Sequence, residues 1–355
     1  MLVVEDFLLK HNIKNTTVAV AVSGGADSLA LVLMAAEQYA VDGIKIVALT
    51  VDHQLRSTSA QEAEYVANLM KAHGIEHHIL VWEGSKPQTG IEEAAREARY
   101  TLMREWCLRY DVHYLMVAHH VFDQAETFLM RLQRGSGLKG LCGMREIVSW
   151  RGLNILRPLL HTRPQIMKDY LTERHILWIE DESNHDETFL RNRLRRYLPE
   201  FARQTGIDAE KIDNAIQCLQ SAEGYIEAQV EVLIKKYIQI DRGGVYSFKH
   251  SDYLQWHNEM KFRVIAELCK RDYIPRSDRV LAVVDKLNHL PFSGQTLGDR
   301  EVFMAYGHVW IVPQLLAKHK ATRAKWKEFV AQNSEYRIRK IPHKARLAIL
   351  QSKGK

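Results

Sequence analysis

The residues best suited to chemistry form the stretch 23–28, which reads SGGADS. It lies between an alternating apolar run (17–22) and a run with helical apolar spacing (29–36). Its glycines allow a tight turn and close approach of a ligand. The first amide N–H groups of a helix lack partners within it and carry partial positive charge. We therefore predict a strand-to-helix turn that binds an anion, most naturally phosphate.

Two common phosphate-binding loops do not match this stretch. A Walker loop needs a lysine after its last glycine, and a dinucleotide fingerprint needs glycines spaced as G-x-G-x-x-G. Here the glycines are adjacent and no lysine follows them. The simpler alternative is a turn in which a serine or Asp27 only caps the helix. The stretch alone leaves both interpretations open.

Histidines and carboxylates at 119–126 form a second group, with His119, His120, Asp123 and Glu126 as its polar members. Asp123 and Glu126 are three residues apart, so they share one face of a helix. A carboxylate there could hold an ammonium group and accept its proton. A capped helix with exposed histidines is the simpler alternative. One pair of adjacent histidines is not a zinc-ligand spacing.

Two pairs of arginines could grip phosphate oxygens through their forked N–H groups. Arg96 and Arg99 are three apart on one predicted helix, and Arg191 and Arg193 flank Asn192. For each arginine a surface ion pair with a nearby glutamate is the alternative.

Further basic residues predict contact with RNA. Arg195 and Arg196 stand beside two aromatic residues, Tyr197 and Phe201, a pattern that suits phosphate contact and base stacking. The segment 316–355 holds twelve Lys or Arg and two acids, a net charge of +10, with Trp326 and Tyr336 interleaved. Its candidate RNA contacts are Lys325, Lys327, Arg337, Arg339 and Lys340. A solvated end that aids solubility is the alternative for this segment.

The elements that must position these residues alternate between strand and helix in the first half of the chain. We predict strands at 17–22, 44–53, 77–82 and 113–120, with helices at 59–73, 91–109 and 123–134. This alternation predicts an α/β fold with a doubly wound parallel sheet. Ligands of such sheets bind beyond the carboxyl ends of the strands. We therefore expect residues 23–25, 52–53 and 119–120 to converge on one cleft.

The second half is predicted to be mainly helical, with helices at 163–175, 187–200, 208–238 and 257–271 and strands at 243–250 and 301–313. We expect three parts: an α/β domain at 1–205, a smaller α+β domain at 215–315, and a basic tail at 316–355. Asp181 and Glu182 are expected to order a loop.

Composition limits the class of protein. The chain has 355 residues, of which 46% are apolar, and a net charge of +6. We expect a soluble cytoplasmic protein, because no run approaches a membrane span or a signal peptide. Its four cysteines are far apart without a C-x-x-C pair, which suits a reducing compartment and argues against a zinc ribbon or iron–sulfur cluster.

Five stretches taken together closely resemble the bacterial tRNA(Ile)-lysidine synthetases of the PP-loop (N-type ATP pyrophosphatase) superfamily. They are SGGADS at 23–28, VDHQLR at 51–56, EEAAREARYTLM at 92–103, AHHVFDQAETFLMRLQRGSGLKGLCGM at 118–144, and the stretch 157–199 with its RNR. The resemblance implies an ATP- and Mg²⁺-dependent ligase that joins free L-lysine to carbon 2 of the wobble cytidine in a CAU-anticodon isoleucine tRNA. It implies an adenylated cytidine intermediate, with AMP and pyrophosphate as products. The resemblance also implies that 1–205 is the catalytic domain and that 215–315 is the tRNA-binding domain, and we allow for a homodimer.

The resemblance also implies roles for residues. The residues expected to bind ATP are Ser23, Gly24, Gly25, Ala26, Asp27 and Ser28, with Asp27 as the Mg²⁺ ligand. The residues expected to act in catalysis are Asp27, Arg96, Arg99, Asp123, Glu126, Arg191 and Arg193. Phe122 stands where the family usually has a second acid, so Asp123 is expected to act as a lone carboxylate. Two alternatives stay open, another PP-loop tRNA-modifying enzyme such as a thiolase, and a non-enzymatic RNA-binding protein.

Overall fold

The structure is a computed structural model that describes residues 4, 7–39, 43–55, 58–84, 86–87, 89–180, 190–270, 275–289, 291–314, 323–337 and 339–352. Its contacts divide the chain into two compact units, Met1–Ser221 and Ala222–Lys355. The division falls within one long helix, Ala209–Tyr237. None of the described helices has the length and apolar character needed to cross a membrane.

The first unit is built on a six-stranded sheet with the order β3-β2-β1-β4-β6-β5. All neighbouring strands are parallel except the pair β5–β6, which is antiparallel. The strands are β1 (Thr17–Ala21), β2 (Lys45–Asp52), β3 (Glu76–Val81), β4 (Tyr114–Met116), β5 (Ile147–Trp150) and β6 (Leu153–Leu156).

Helices cover both faces of this sheet. The helices of the first unit are α1 (Phe7–Lys10), α2 (Ala26–Tyr39), α3 (Ser59–Ala72), α4 (Ile91–Arg109), α5 (Val121–Gln133), α6 (Leu138–Leu141), α7 (Pro164–Glu173) and α8 (Leu190–Thr205), and α9 (Ala209–Tyr237) begins in it. One core joins α1, α2, α3 and α7 to the sheet, and the core on the other side joins α4 to it. The central helix α2 is apolar around most of its circumference because ten of its residues are buried.

The second unit contains an antiparallel five-stranded sheet with the order β7-β8-β11-β10-β9. Its strands are β7 (Gln239–Asp241), β8 (Val245–Lys249), β9 (Gln295–Leu297), β10 (Arg300–Ala305) and β11 (His308–Pro313). Its helices are α10 (His250–Leu254), α11 (Asn258–Leu268), α12 (Ser277–Asn288), α13 (Arg323–Gln332) and α14 (His343–Gln351).

The predicted fold class is confirmed: a parallel-dominated α/β sheet with a second, mainly helical unit that contains an antiparallel sheet. The strand predicted at 113–120 is shorter, because His120 already caps α5, its backbone N–H donating to the Asp123 carboxylate over 2.9 Å. The described part of the segment predicted as a basic tail is folded. Its helices α13 and α14 pack in a core with Val245, Phe303 and Trp310.

Candidate active site

The loop after β1 is held closed by its own serines. Ser28 Oγ donates to the carbonyl oxygen of Gly25 over 3.0 Å and accepts from the backbone N–H of Ser23 over 3.1 Å. The hydroxyls of Ser23 and Ser28 lie 3.2 Å apart. Helix α2 begins at Ala26, so the loop presents the amide groups of a helix start, as an anion site requires.

The two glycines of this loop face different surroundings. Gly24 has φ +85°, and a Cβ there would lie 2.7 Å from Ile179 Cδ1. The carbonyl oxygen of Gly24 accepts from the Ile179 backbone N–H over 2.9 Å, which fixes the loop against the segment after α7. A Cβ on Gly25 would meet only Ser23 Oγ at 3.7 Å and Ile179 O at 3.9 Å. The protein therefore leaves space beside Gly25 that a ligand can use.

Asp27, in the first turn of α2, carries a buried carboxylate oxygen, Oδ1, without a hydrogen-bond partner among the described residues. Its other oxygen, Oδ2, lies 3.6 Å from Nε2 of His120. Burial raises the pKa of Asp27, and the nearby Asp123 charge adds to this rise, whereas His120 opposes it. An unpaired carboxylate oxygen at a phosphate-binding helix start fits a cation such as Mg²⁺.

His120 and Asp123 connect α5 to this carboxylate. Nδ1 of His120 lies 3.5 Å from Oδ2 of Asp123, so the imidazole stands between Asp27 and Asp123. Burial works to raise the pKa of Asp123, but the charge of His120, a backbone N–H from His120 and the charge of Arg191 outweigh it, and the pKa falls below its ordinary value. Asp123 is therefore a carboxylate that stays ionised.

Glu126 is fully buried and binds two arginines of α8. Its Oε2 accepts from Arg191 Nε, and its Oε1 accepts from Arg195 Nε, both over 2.8 Å. Arg195 also reaches Asp123 Oδ1 at 3.4 Å. Both carboxylate oxygens of Glu126 are thus occupied. This geometry favours a role in holding arginines rather than the expected role as a lysine-binding or proton-accepting group.

Positive charge collects around His119. Arg96 and Arg99 both lie over the Tyr100 ring, 5.2 Å and 5.7 Å from its centroid. Burial lowers the pKa of Arg99, and the charges of Arg96 and Arg191 lower it further. Arg157 donates its Nε–H to His119 Nδ1 over 3.2 Å. Arg96 and Arg157 also line a cavity of about 770 Å³ beside α4 and the β5–β6 hairpin. Such a cluster suits an anionic ligand, whose charge would offset the repulsion between the arginines.

The structure brings together most of the predicted catalytic residues of the first unit, but not all of them. The loop at 23–28, Asp27, His120, Asp123 and Glu126 form one connected group with Arg191 and Arg195. Burial lowers the pKa of His53, which follows β2, and the charge of Arg99 lowers it further. Arg193 and Arg196 are exposed on α8. Asp181 and Glu182 lie outside the described residues.

Two of the predicted RNA-binding arginines have internal partners. Arg195 binds Glu126 and Asp123, as described above. Arg339 donates through both terminal nitrogens to Asp241, at 2.5 Å and 2.8 Å, and Asp241 is buried. Of the predicted stacking aromatics, Trp326 and Tyr336 are occupied, because they pack on each other and on Phe329, whereas Tyr197 and Phe201 are exposed. The candidate contacts that stay exposed are Arg196 in the first unit and Lys325, Lys327, Arg337 and Lys340 in the second.

Arg157 is a site residue that the sequence analysis did not select. It follows the carboxyl end of β6 directly, and it also donates to the carbonyl oxygen of Arg145 over 2.8 Å. The rule that ligands lie beyond the ends of parallel strands would have selected it. Because strand β6 was not predicted from the sequence, Arg157 could not be recognised as a residue at the end of a strand.

The first part of the chain matches a known protein family. The model of a family described as "PP-loop domain" matches residues 4–201, which is more than half of the chain. That span contains the loop at 23–28 and every residue of the connected group.

Two relatives named tRNA(Ile)-lysidine synthase are similar over much of the chain. The protein from Bradyrhizobium diazoefficiens is 31% identical over 331 residues, which cover 85% of this chain and 91% of the relative. The protein from Wolbachia pipientis wMel is 34% identical over 279 residues, and the match spans 77% of this chain and 64% of the relative. Among solved structures, the U34-tRNA thiolase NcsA of Methanococcus maripaludis with its [4Fe-4S] cluster is similar in fold. Its TM-score is 0.53 at 15% identity, over 61% of this chain and 77% of that one.

Proposed function

This chain belongs to the tRNA(Ile)-lysidine synthase family of PP-loop proteins, and we propose that it ligates free lysine to a wobble cytidine of isoleucine tRNA at the expense of ATP. The observation that supports this most directly is the pairing of an open anion loop at 23–28 with the unsatisfied carboxylate oxygen of Asp27. The proposed tRNA carries a CAU anticodon, and the modification changes codon reading from AUG to AUA.

The reaction has two steps in this proposal. The carbonyl oxygen at carbon 2 of the cytidine attacks the α phosphate of ATP, and pyrophosphate leaves. The lysine amine then attacks carbon 2, and AMP leaves with the former carbonyl oxygen. Such phosphoryl chemistry depends on positioning and on charge around the phosphates more than on covalent help from the protein.

The loop at 23–28 and the arginines supply these needs. The backbone N–H groups at the start of α2 would hold the pyrophosphate portion of ATP. Asp27 would hold Mg²⁺, which offsets phosphate charge when it is bound. Arg191 and Arg195, fixed by Glu126, would meet negative charge that develops in the first step.

The second step needs a neutral lysine amine, although that amine has a pKa of about 10.4 in water. Asp123 is the proposed carboxylate that holds the ammonium group, because its pKa lies below the ordinary value and it stays ionised. Its Oδ1 has only a long contact, 3.4 Å, with Arg195.

The proposed tRNA-phosphate contacts are exposed Arg193 and Arg196 on α8, and the exposed lysines and arginine of the second unit. A homodimer is retained as part of the proposal.

The experiment that tests the proposed ligase measures AMP formation from ATP with and without tRNA. A ligase that adenylates tRNA should release pyrophosphate only when the tRNA is present, with or without lysine, and should form AMP only when lysine is present as well. A non-enzymatic RNA-binding protein should bind the tRNA and form no AMP. The thiolase alternative has less support, since the likeness to a tRNA thiolase concerns the fold alone.

A further inference from the structure

One histidine of the site, His119, has its protonation state fixed by geometry. Its Nδ1 receives the Nε–H of Arg157 over 3.2 Å. A guanidinium donates hydrogen bonds, has no acceptor and stays protonated in proteins. The Nδ1 atom must therefore be the bare, accepting nitrogen of the ring. A neutral imidazole that accepts at Nδ1 carries its hydrogen at Nε2.

Arg157 is itself held in place. Its Nη1 donates to the carbonyl oxygen of Arg145 over 2.8 Å, so two different nitrogens of the same guanidinium are engaged. The guanidinium cannot turn away from His119 without losing the bond to Arg145 as well. The bond to Arg145 therefore fixes the orientation of Arg157, and with it the tautomer of His119.

Charges from four neighbouring elements also act on the ring. Burial lowers the pKa of His119 to about 3, and the charges of Arg157, Arg96 and Arg191 act in the same direction, against Asp123. These residues come from α4, α5, α8 and the end of β6. Protonation at Nδ1 would also point a new N–H at the guanidinium of Arg157. The ring therefore stays neutral at physiological pH.

The Nε2–H of His119 has no protein acceptor among the described residues. The side chain is half-buried and belongs to the residue next to His120, whose ring reaches Asp27. A fixed N–H donor without a partner beside a reaction centre is suited to an acceptor atom of a substrate. The ligation proposed above offers two sources of such atoms, the phosphate oxygens of ATP and the carbonyl oxygen and ring nitrogen of cytidine.

We propose that His119 is an uncharged hydrogen-bond donor to a substrate acceptor atom, and that Arg157 is the positioning residue that fixes its tautomer. This inference rests on the proposed ligase function. An uncharged donor stabilises an acceptor without adding a positive charge to an arginine-rich site. It also holds no acidic proton that could pass to the attacking lysine amine.

Two substitutions of His119 separate a donor at Nε2 from a merely structural ring. The amide nitrogen of glutamine reaches the position of Nε2, whereas that of asparagine reaches only the position of Nδ1. We expect His119→Gln to keep kcat for AMP formation within about tenfold of the unchanged protein and His119→Asn to lose about 100-fold or more, as when one preorganised donor is removed. Both proteins should keep their thermal midpoints. Equal loss in the two variants, or no loss in either, would overturn the proposal.

The same variants identify the source of the acceptor. Weaker ATP binding by His119→Asn in the absence of tRNA would assign the donor to a phosphate oxygen. Unchanged ATP binding with a loss confined to tRNA-dependent turnover would assign it to the cytidine. Both results support the donor role. Unchanged ATP binding together with unchanged tRNA-dependent turnover would overturn it.

A spectroscopic measurement tests the tautomer without relying on activity. In protein with ¹⁵N-labelled histidine, assigned by comparison with His119→Gln, the His119 ring should show a protonated Nε2 and a bare Nδ1 from pH 8 down to pH 5. Arg157→Gln should raise the pKa of the ring or mix its tautomers. A ring that titrates near pH 6.5 in the unchanged protein, or that carries its proton at Nδ1, would refute the assignment. This result stands apart from the proposed ligation, because it can fail while AMP formation succeeds and succeed while AMP formation fails.

Discussion

Nε2 of His120 lies 3.6 Å from Oδ2 of Asp27, while the other carboxylate oxygen of Asp27 is buried without a hydrogen-bond partner in the described part of the chain. A buried unpaired oxygen costs free energy of folding, on the order of 1–3 kcal/mol. The fold keeps this oxygen at the start of α2, beside the glycine loop. Its surroundings are those of a ligand site rather than of a stabilising contact.

We predict that Asp27→Asn removes activity without lowering stability. The folded pKa of Asp27 is raised above its unfolded value, mainly by burial, so its ionisation costs stability as the pH rises through that interval. At pH 7 the substitution removes this cost, and the thermal midpoint should stay equal or rise. AMP formation should fall by at least about 100-fold because the proposed metal ligand is lost. Asp169→Asn, on the exposed face of α7, is the matched control and should change neither quantity. Near-normal AMP formation by Asp27→Asn would contradict the assignment.

The two loop glycines should respond differently to alanine. Gly24→Ala places a Cβ 2.7 Å from Ile179 Cδ1 at φ +85°, so the free energy of unfolding should fall by about 1 kcal/mol or more. Gly25→Ala meets no protein atom closer than 3.7 Å and should keep its stability. Its methyl group would occupy space needed by the phosphates, so ATP affinity should fall. Calorimetric ATP titration and urea denaturation of both proteins check this. Unchanged ATP affinity in Gly25→Ala would place the phosphates elsewhere.

Glu126→Gln should impair both steps of the reaction together. The carboxylate is buried and accepts from Arg191 and Arg195, and an amide can accept from only one of them. Pyrophosphate release and lysine transfer should fall in parallel, with about 1–3 kcal/mol of stability lost. The control is Glu200→Gln, which alters an exposed ion pair between Glu200 and Arg203, both on α8. A loss of lysine transfer alone, with normal pyrophosphate release, would instead assign Glu126 to the step in which lysine is bound and deprotonated.

The basic residues of the second unit should separate into two classes. Lys327→Ala and Lys340→Ala remove exposed charges, so they should weaken tRNA binding and lower its salt slope by roughly one unit per phosphate contact. Arg339→Ala breaks the pair with buried Asp241 and should lower stability by about 1–3 kcal/mol. Truncation before α13 is not a clean test of charge, because α14 contributes Ala345, Ala348 and Ile349 to the core. Filter binding at several salt concentrations measures the slopes. If the salt dependence of tRNA binding is unchanged in both lysine variants, this surface does not contact the tRNA.

Much of the fold could be predicted from sequence because the long elements have clear periodicity. Helix α4 was predicted at 91–109 and lies there, and α9, predicted at 208–238, spans 209–237. The β5–β6 hairpin was not predicted, because its strands have only four residues each and the turn between them rests on positive φ at Arg151 and Gly152. Its place beside β4 is set by long-range pairing, which local pattern does not reveal.

The candidate site was predicted in part for the same reason. The loop at 23–28 is a local motif, and its anion-binding geometry follows from neighbouring residues. The bonds from Glu126 to Arg191 and Arg195 join residues 65 and 69 positions apart. Several arginines in that span were equally suited by type, and only tertiary packing selects among them. From the sequence, Arg339 likewise resembles an exposed surface residue. Only the fold places Asp241, at the end of β7, within hydrogen-bonding distance of it.

The most direct test of the proposed function is transfer of labelled lysine to tRNA. The full chain would be incubated with ATP, Mg²⁺, labelled lysine and unmodified tRNA transcripts that differ in anticodon. We predict stable label in the isoleucine tRNA with the CAU anticodon, with AMP formed in equal amount, and no label with Asp27→Asn. Label in none of the transcripts under conditions where ATP and tRNA both bind would contradict the proposed ligation.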